Sequence, residues 1–142
     1  MKILITGGLG HIGSYVLHNI NKIKVVKKVY VIDDLSTRRY SSLFNLPKTK
    51  AKVIFVQKDL SLKNSLNNFE KVDVVLHLAS ITEPELSLKN KKKIYQNNLN
   101  LFNNILKYCK NKSSKLIHVS STSVYGDQKG FVDESCSILK PK

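Results

Sequence analysis

The stretch Thr6-Gly7-Gly8-Leu9-Gly10-His11-Ile12-Gly13 constrains this chain more than any other, because of what stands on either side of it. Before it, Ile3-Leu4-Ile5 is short, apolar and β-rich, and reads as a buried parallel strand. After it, Tyr15, Val16, Leu17 and Ile20 recur at helical spacing, so a helix begins inside the glycines. Glycines at such a junction permit a tight turn, close backbone approach to a ligand, and close packing of helix on strand. The helix N-terminus adds N–H groups without helical partners and a partial positive charge. Strand, glycine turn and helix together predict a site for the pyrophosphate of a dinucleotide.

The rest of the chain repeats the alternation of strand and helix. Val29-Tyr30-Val31-Ile32, Val53-Ile54-Phe55-Val56, the run from Val72 to Leu78, and Leu116-Ile117-His118-Val119 read as four further strands. Helices are expected around 40–46, ending before Pro47, and over 61–69, where Leu62, Leu66 and Phe69 fall at i, i+4 and i+7. A longer helix is expected over 94–109, with Ile94, Leu101, Ile105, Leu106 and Tyr108 on one side. Alternation of this kind builds a parallel sheet through right-handed crossovers. The expected architecture is one α/β domain over 1–142, with five strands in the order 3-2-1-4-5 and a ligand across their carboxyl ends.

Several strand ends carry residues suited to that crevice. The second strand ends at Asp33-Asp34, where an acidic residue accepts hydrogen bonds from an adenosine ribose and repels a 2′-phosphate, which selects NAD over NADP. Arg38 and Arg39 stand close enough to hold such a phosphate instead, and a turn or helix-capping role is also open to Asp33. Ala79-Ser80 are small and leave room above the fourth strand. His77 lies within an apolar run and reads as a packed, hydrogen-bonded histidine. Ser120-Ser121-Thr122-Ser123 place hydroxyls at the end of the fifth strand, where turn formation is the alternative role.

A formal charge of +14 raises the question of a nucleic-acid partner. The distribution argues against one: the basic residues are lysines apart from Arg38 and Arg39, and they are scattered among asparagines rather than interleaved with aromatics. The tight run of Lys89 with Lys91-Lys92-Lys93 sits where a helix is expected to start and reads as a solvated face or lid. No apolar run approaches a membrane span and no cleavage site follows the N-terminus, so a cytoplasmic protein without a membrane partner is expected. Cys109 and Cys136 are isolated and lack metal-ligand spacing, which predicts two plain thiols and no metal.

With these residues in place, the chain resembles the extended short-chain dehydrogenase/reductases, specifically the NAD-dependent sugar-nucleotide epimerases and dehydratases. The resemblance runs from Met1 to about Pro141 and rests on motifs in order: the glycine stretch, Asp33-Asp34-Leu35-Ser36, Asp59-Leu60, His77-Leu78-Ala79, Asn98, and Ser120-Ser121-Thr122-Ser123-Val124-Tyr125-Gly126. It implies a Rossmann-type doubly wound parallel sheet with NAD as cofactor. Gly7, Gly10 and Gly13, with His11 and Ile12 between them, would hold the pyrophosphate; Asp33, with Asp34 beside it, would hold the adenosine ribose. Asp59 and the backbone of Leu60 would contact adenine, Leu78 and Ala79 would line the nicotinamide ribose pocket, and Asn98 matches a helix asparagine near the active site. Ser121 matches the catalytic hydroxyl that hydrogen-bonds the reacting sugar oxygen.

The resemblance also orders the possible reactions. The dehydratases carry Asp and Glu at the two positions after that hydroxyl, and here these are Thr122 and Ser123, which cannot serve as general acid and base. What is left is hydride transfer to NAD and its return to the other face of a sugar carbon, which is epimerisation. Tyr125-Gly126-Asp127-Gln128 is similar to UDP-glucose 4-epimerases, whose parent proteins are expected to be homodimers. The family's glycine after the helix asparagine is replaced near Leu101-Phe102. Its general base is a Tyr followed four residues later by a Lys on a helix beyond the hydroxyl; Tyr125 and Lys129 have that spacing, but Gly126 and Gly130 flank a stretch that leaves a strand for a loop. The expectation is therefore the NAD-binding part of a nucleotide-sugar epimerase, without its catalytic Tyr-x-x-x-Lys pair or substrate domain. A reductase or dehydratase of the same family, or a non-catalytic dinucleotide-binding module, are the alternatives.

Overall fold

The computed structural model describes residues 1–82, 84–121, 125–126 and 130–136, with 84–89 described by their backbone alone. Five strands are present: β1 (Lys2–Thr6), β2 (Lys28–Asp33), β3 (Lys52–Gln57), β4 (Val74–His77) and β5 (Lys115–His118). They form one sheet in the order β3-β2-β1-β4-β5, every pairing parallel, as the β-α alternation predicts. The helices are α1 (His11–Asn19), α2 (Tyr40–Phe44) and α3 (Pro84–Lys112).

Burial explains why the central strands are apolar along their whole length. Successive side chains of a strand point to opposite faces, and here both faces are covered. Ile3, Ile5, Val29 and Val31 pack with Leu17 and Ile20 on the α1 side. Leu4, Tyr30, Ile32 and Val75 pack with Leu101, Ile105 and Tyr108 of α3 on the other side. The α3 side also holds an edge-on aromatic series, Tyr30 to Phe69 at 5.0 Å and Phe69 to Tyr108 at 6.2 Å. At the amino ends of β1 and β2, Lys2 and Lys28 both pair with Glu70 and hold its carboxyl below the usual carboxylate range.

Two helical expectations are corrected. Residues 61–69 form consecutive turns rather than a helix, closed by Ser65, Asn67 and Phe69 N–H groups bonding the carbonyls of Leu62, Asn64 and Leu66. Asp59 draws both the N–H and the hydroxyl of Ser61 to its carboxylate, Asn64 adopts φ +61°, and Asn104 of α3 takes the Leu60 and Leu62 carbonyls. Local and tertiary polar partners thus replace the intrahelical bonds. The second correction concerns α3, whose helical geometry begins at Pro84 rather than near 94 and breaks at Asn90, so that Lys91-Lys92-Lys93 open the segment after the break, at a helix start as expected. Asn90, with φ −138° and ψ 39°, interrupts it beside those lysines, and Lys91, Lys92 and Lys93 are exposed.

One edge of the sheet is less well covered. On β5, Ile117 pairs in register with Leu76 and is 53% exposed, and Val119 just beyond is 47% exposed.

Candidate dinucleotide cleft

The glycine turn has little freedom to be anything else. Gly7 takes φ +65°, and a Cβ there would stand 2.8 Å from the Ala79 backbone. A Cβ on Gly13 would meet Gly8 Cα at 2.5 Å and the Gly7 carbonyl at 2.7 Å, so α1 lies directly on the turn that precedes it. At Gly10 the one neighbour of such an atom within 4 Å among the described residues would be the Gly7 carbonyl at 3.2 Å, and Gly10 lines the cleft. The first helical bond of α1 runs from Ser14 N–H to the Gly10 carbonyl, so the N–H groups of His11, Ile12 and Gly13 precede the ladder.

Around this turn lies a cleft of about 300 Å³ at the carboxyl ends of the strands. It gathers most of the residues singled out in the sequence: Gly7, Gly10, His11, Ile12 and Gly13 from the turn, Asp33 and Asp34 from β2, Asp59 and Leu60 after β3, and Leu78 and Ala79 after β4. Asn98 and Ser121 are not among its walls. Asn98 instead grips the loop after β4, its Oδ1 accepting from Ile81 N–H at 2.9 Å and its Nδ2 donating to the Ile81 carbonyl at 3.1 Å. Ser121 is exposed beyond β5, and Thr122, Ser123, Val124, Asp127, Gln128 and Lys129 lie outside the described residues. Gly126 has φ +64°, so the backbone leaves helical geometry directly after Tyr125.

The acidic positions serve turns as well as facing the cleft. Asp33 accepts from Leu35 N–H at 3.0 Å and from Leu9 N–H at 3.2 Å, tying the glycine turn to the end of β2. Asp34 accepts from Ser36 through both N–H and hydroxyl. The turn role open to Asp33 in the sequence is therefore present, and the residue still lines the cleft.

Thr6, buried beneath the cleft, carried no assignment from the sequence. Thr6 Oγ1 accepts from the N–H groups of Leu78 and Ala79, at 3.2 and 3.3 Å, which fixes the β4 loop against the glycine turn. A hydroxyl residue ending a buried strand directly before a glycine was the available signal. Arg39, which the sequence offered for a 2′-phosphate, lines the cleft and donates from Nη1 to His11 Nε2 at 2.9 Å. His77 is buried, as expected, and stacks on His118 at 5.2 Å; burial, with His118 nearby, pushes its pKa down to about 4. Among the described residues, no group of His, Cys, Asp or Glu could hold a metal ion, and no helix is long and apolar enough to cross a membrane.

A parallel sheet in this order, with a glycine turn feeding α1 and a crevice at the strand ends, defines a Rossmann-type α/β protein. The family model for the NAD dependent epimerase/dehydratase family matches residues 3–141, and the chain belongs to that family. It is 34% identical to a dTDP-D-glucose 4,6-dehydratase of Dictyostelium discoideum over 94% of its own length and 31% of the relative's. Among solved structures, it superposes with a TM-score of 0.82 and 29% identity on a UDP-N-acetylglucosamine 4-epimerase from Methanobrevibacter ruminantium, covering 97% of this chain and 44% of that one. A Thermus thermophilus UDP-glucose 4-epimerase in complex with NAD gives 0.79 and 26%, covering 100% and 45%. The chain spans less than half the length of each of these relatives.

Proposed function

We propose that this chain is the NAD-binding part of a nucleotide-sugar epimerase of the cytoplasm. The observation that carries the reading is the glycine turn: a cradle that a Cβ at Gly10 would begin to fill, set under the first turn of α1 and facing the cleft. The residues fit the cofactor. Gly7, Gly10 and Gly13, with His11 and Ile12, would hold the diphosphate on backbone N–H groups; Asp33, with Asp34, would take the adenosine ribose hydroxyls. Asp59 and Leu60 would flank adenine, and Leu78 and Ala79 the nicotinamide ribose, with Asn98 holding their loop in place through Ile81. The bound cofactor supplies a hydride acceptor and donor. Ser121 would hydrogen-bond the sugar oxygen whose carbon gives up hydride.

Inversion rather than dehydration is supported by the sequence after Ser121, where Thr122 and Ser123 offer no carboxylate to protonate a leaving hydroxyl. Dehydration is the second reading, favoured by the likeness to the Dictyostelium dehydratase. The exposed Ile117 on β5 and Val119 just after it support a larger parent whose further elements cover them and carry the proton-transfer Tyr and Lys. A homodimeric parent is supported by α3, where Tyr95, Leu99 and Leu106 fall at coiled-coil spacing and are exposed, Tyr95 68% and Leu106 48%. Two free thiols, Cys109 and Cys136, suit a reducing compartment.

Titration calorimetry of the chain with NAD tests the cofactor reading, and binding with a single site is expected. Absence of binding at millimolar NAD would overturn it. A longer version supplied with UDP-glucose separates the reactions: an epimer without net NADH supports inversion, and a 4-keto-6-deoxy product establishes dehydration.

A further inference from the structure

Two adjacent arginines follow β2, and the fold treats them differently. Arg38 has φ +53°, is exposed, and does not line the cleft. Arg39 is half-buried, lines the cleft, and reaches across to His11, the first residue of α1. A guanidinium has only donors, so His11 Nε2 is the acceptor in this 2.9 Å bond and the imidazole proton resides on Nδ1. The bond joins the loop after β2 to the anion-binding end of α1 over 28 residues of sequence.

We infer that Arg39 is a diphosphate-binding residue of the dinucleotide cleft, held over the α1 N-terminus by His11 until the ligand arrives. This rests on the dinucleotide reading above. Arg39 uses Nη1 on a neutral imidazole, a weak partner for a group whose planar fork matches phosphate oxygens. A diphosphate seated on the first turn of α1 offers it anionic acceptors at the place where His11 already holds it. The competing role for such an arginine is a 2′-phosphate on the adenosine ribose. That position belongs to Asp33 and Asp34, whose carboxylates line the same wall and would repel the extra phosphate. The side chain's anchor is on α1 and not at the ribose end, which favours the diphosphate.

The test is calorimetric titration of the unsubstituted chain, Arg39→Gln, His11→Phe and the double variant with NAD, ADP, adenosine and NADP. Arg39 is half-buried at the cleft wall, and matched thermal melts are the control for folding. Arg39→Gln is expected to weaken NAD and ADP by roughly ten- to hundredfold while leaving adenosine within about twofold. His11 acts by positioning Arg39, so His11→Phe is expected to weaken NAD by a few-fold alone and not at all in the Arg39→Gln background. The inference is overturned if ADP binds the Arg39→Gln variant as well as it binds the unsubstituted chain. It is equally overturned if NADP binds more tightly than NAD and loses that advantage in the variant, which would assign the guanidinium to a 2′-phosphate. Failure of the unsubstituted chain to bind either NAD or ADP would remove the dinucleotide reading and this inference with it.

Discussion

The hydroxyl of Thr6 stands 2.7 Å from Nδ1 of His77, joining the last residues of β1 and β4 across 71 positions of sequence. Thr6 Oγ1 already accepts from Leu78 and Ala79, so its own proton goes to His77, whose Nδ1 must be unprotonated. Protonating His77 would turn Nδ1 into a third donor against that oxygen, inside the sheet and beside the His118 ring. Burial first, and then the nearby His118, push its pKa down to about 4.

Acid should therefore loosen the fold in a definite window. Unfolded, His77 protonates near its ordinary value of about 6.5, while folded it stays neutral to about 4, so the unfolded state binds more protons between these limits. Stability is fully present above 6.5 and is lost as pH falls toward 4, by roughly 3 kcal/mol from this group. Urea melts at pH 7 and pH 5 should show the loss, and His77→Asn, which keeps a carbonyl acceptor for Thr6, should flatten it. An unchanged slope in that variant would move the cause elsewhere.

Glycine substitutions should separate packing from ligand approach. Gly13→Ala places a methyl 2.5 Å from Gly8 Cα, backbone that cannot step aside, and should cost about 1–3 kcal/mol or more. Gly10→Ala meets only the Gly7 carbonyl at 3.2 Å and should fold with a smaller loss. If the cleft takes a diphosphate, Gly10→Ala should still weaken NAD, because the methyl occupies the cradle. Paired thermal melts and NAD titrations distinguish the two effects.

Asp33→Ala should lower NAD affinity by about tenfold and narrow the preference for NAD over NADP. It also releases the N–H groups of Leu9 and Leu35, so a modest drop in melting temperature should accompany it. Titration with both cofactors checks the first effect; an unchanged ratio would leave Asp33 as a turn residue alone.

Tyr108 closes the α3 side of the core with its hydroxyl, which accepts from Val72 N–H at 3.2 Å and donates to the Glu70 carbonyl at 2.6 Å. Burial pushes its pKa up, so it remains a donor throughout the ordinary range. Tyr108→Phe keeps the ring against Phe69 and leaves the buried Val72 N–H without this acceptor, for an expected loss of about 1–3 kcal/mol in denaturant melts.

The apolar stripe on α3 makes a prediction about assembly. Leu106→Lys should leave the core face of Leu101, Ile105 and Tyr108 intact while charging the exposed stripe. If the longer protein is the proposed homodimer, its sedimentation should then shift toward monomer. No shift would remove α3 from the interface.

What the sequence determined by itself is what local pattern encodes. The apolar runs Ile3-Leu4-Ile5 and Val29-Tyr30-Val31-Ile32 could only be buried on two faces, and Gly7, Gly10 and Gly13 could only be a turn under a helix, so strands, sheet order and the gathering of Asp33, Asp59 and Ala79 at one end followed. Tertiary structure decided the rest through polar groups distant in sequence. The period of Leu62, Leu66 and Phe69 is helical, yet Asn104 takes the carbonyls of Leu60 and Leu62 and the segment becomes turns. Asn98, one of many asparagines in a lysine- and asparagine-rich chain, proves to clamp Ile81 through both faces of its amide. Thr6 finds His77, and Arg39 finds His11. Hydrophobic period is written in neighbouring residues and can be read there; a hydrogen bond needs its donor and acceptor within about 3 Å, and only the folded chain sets that distance.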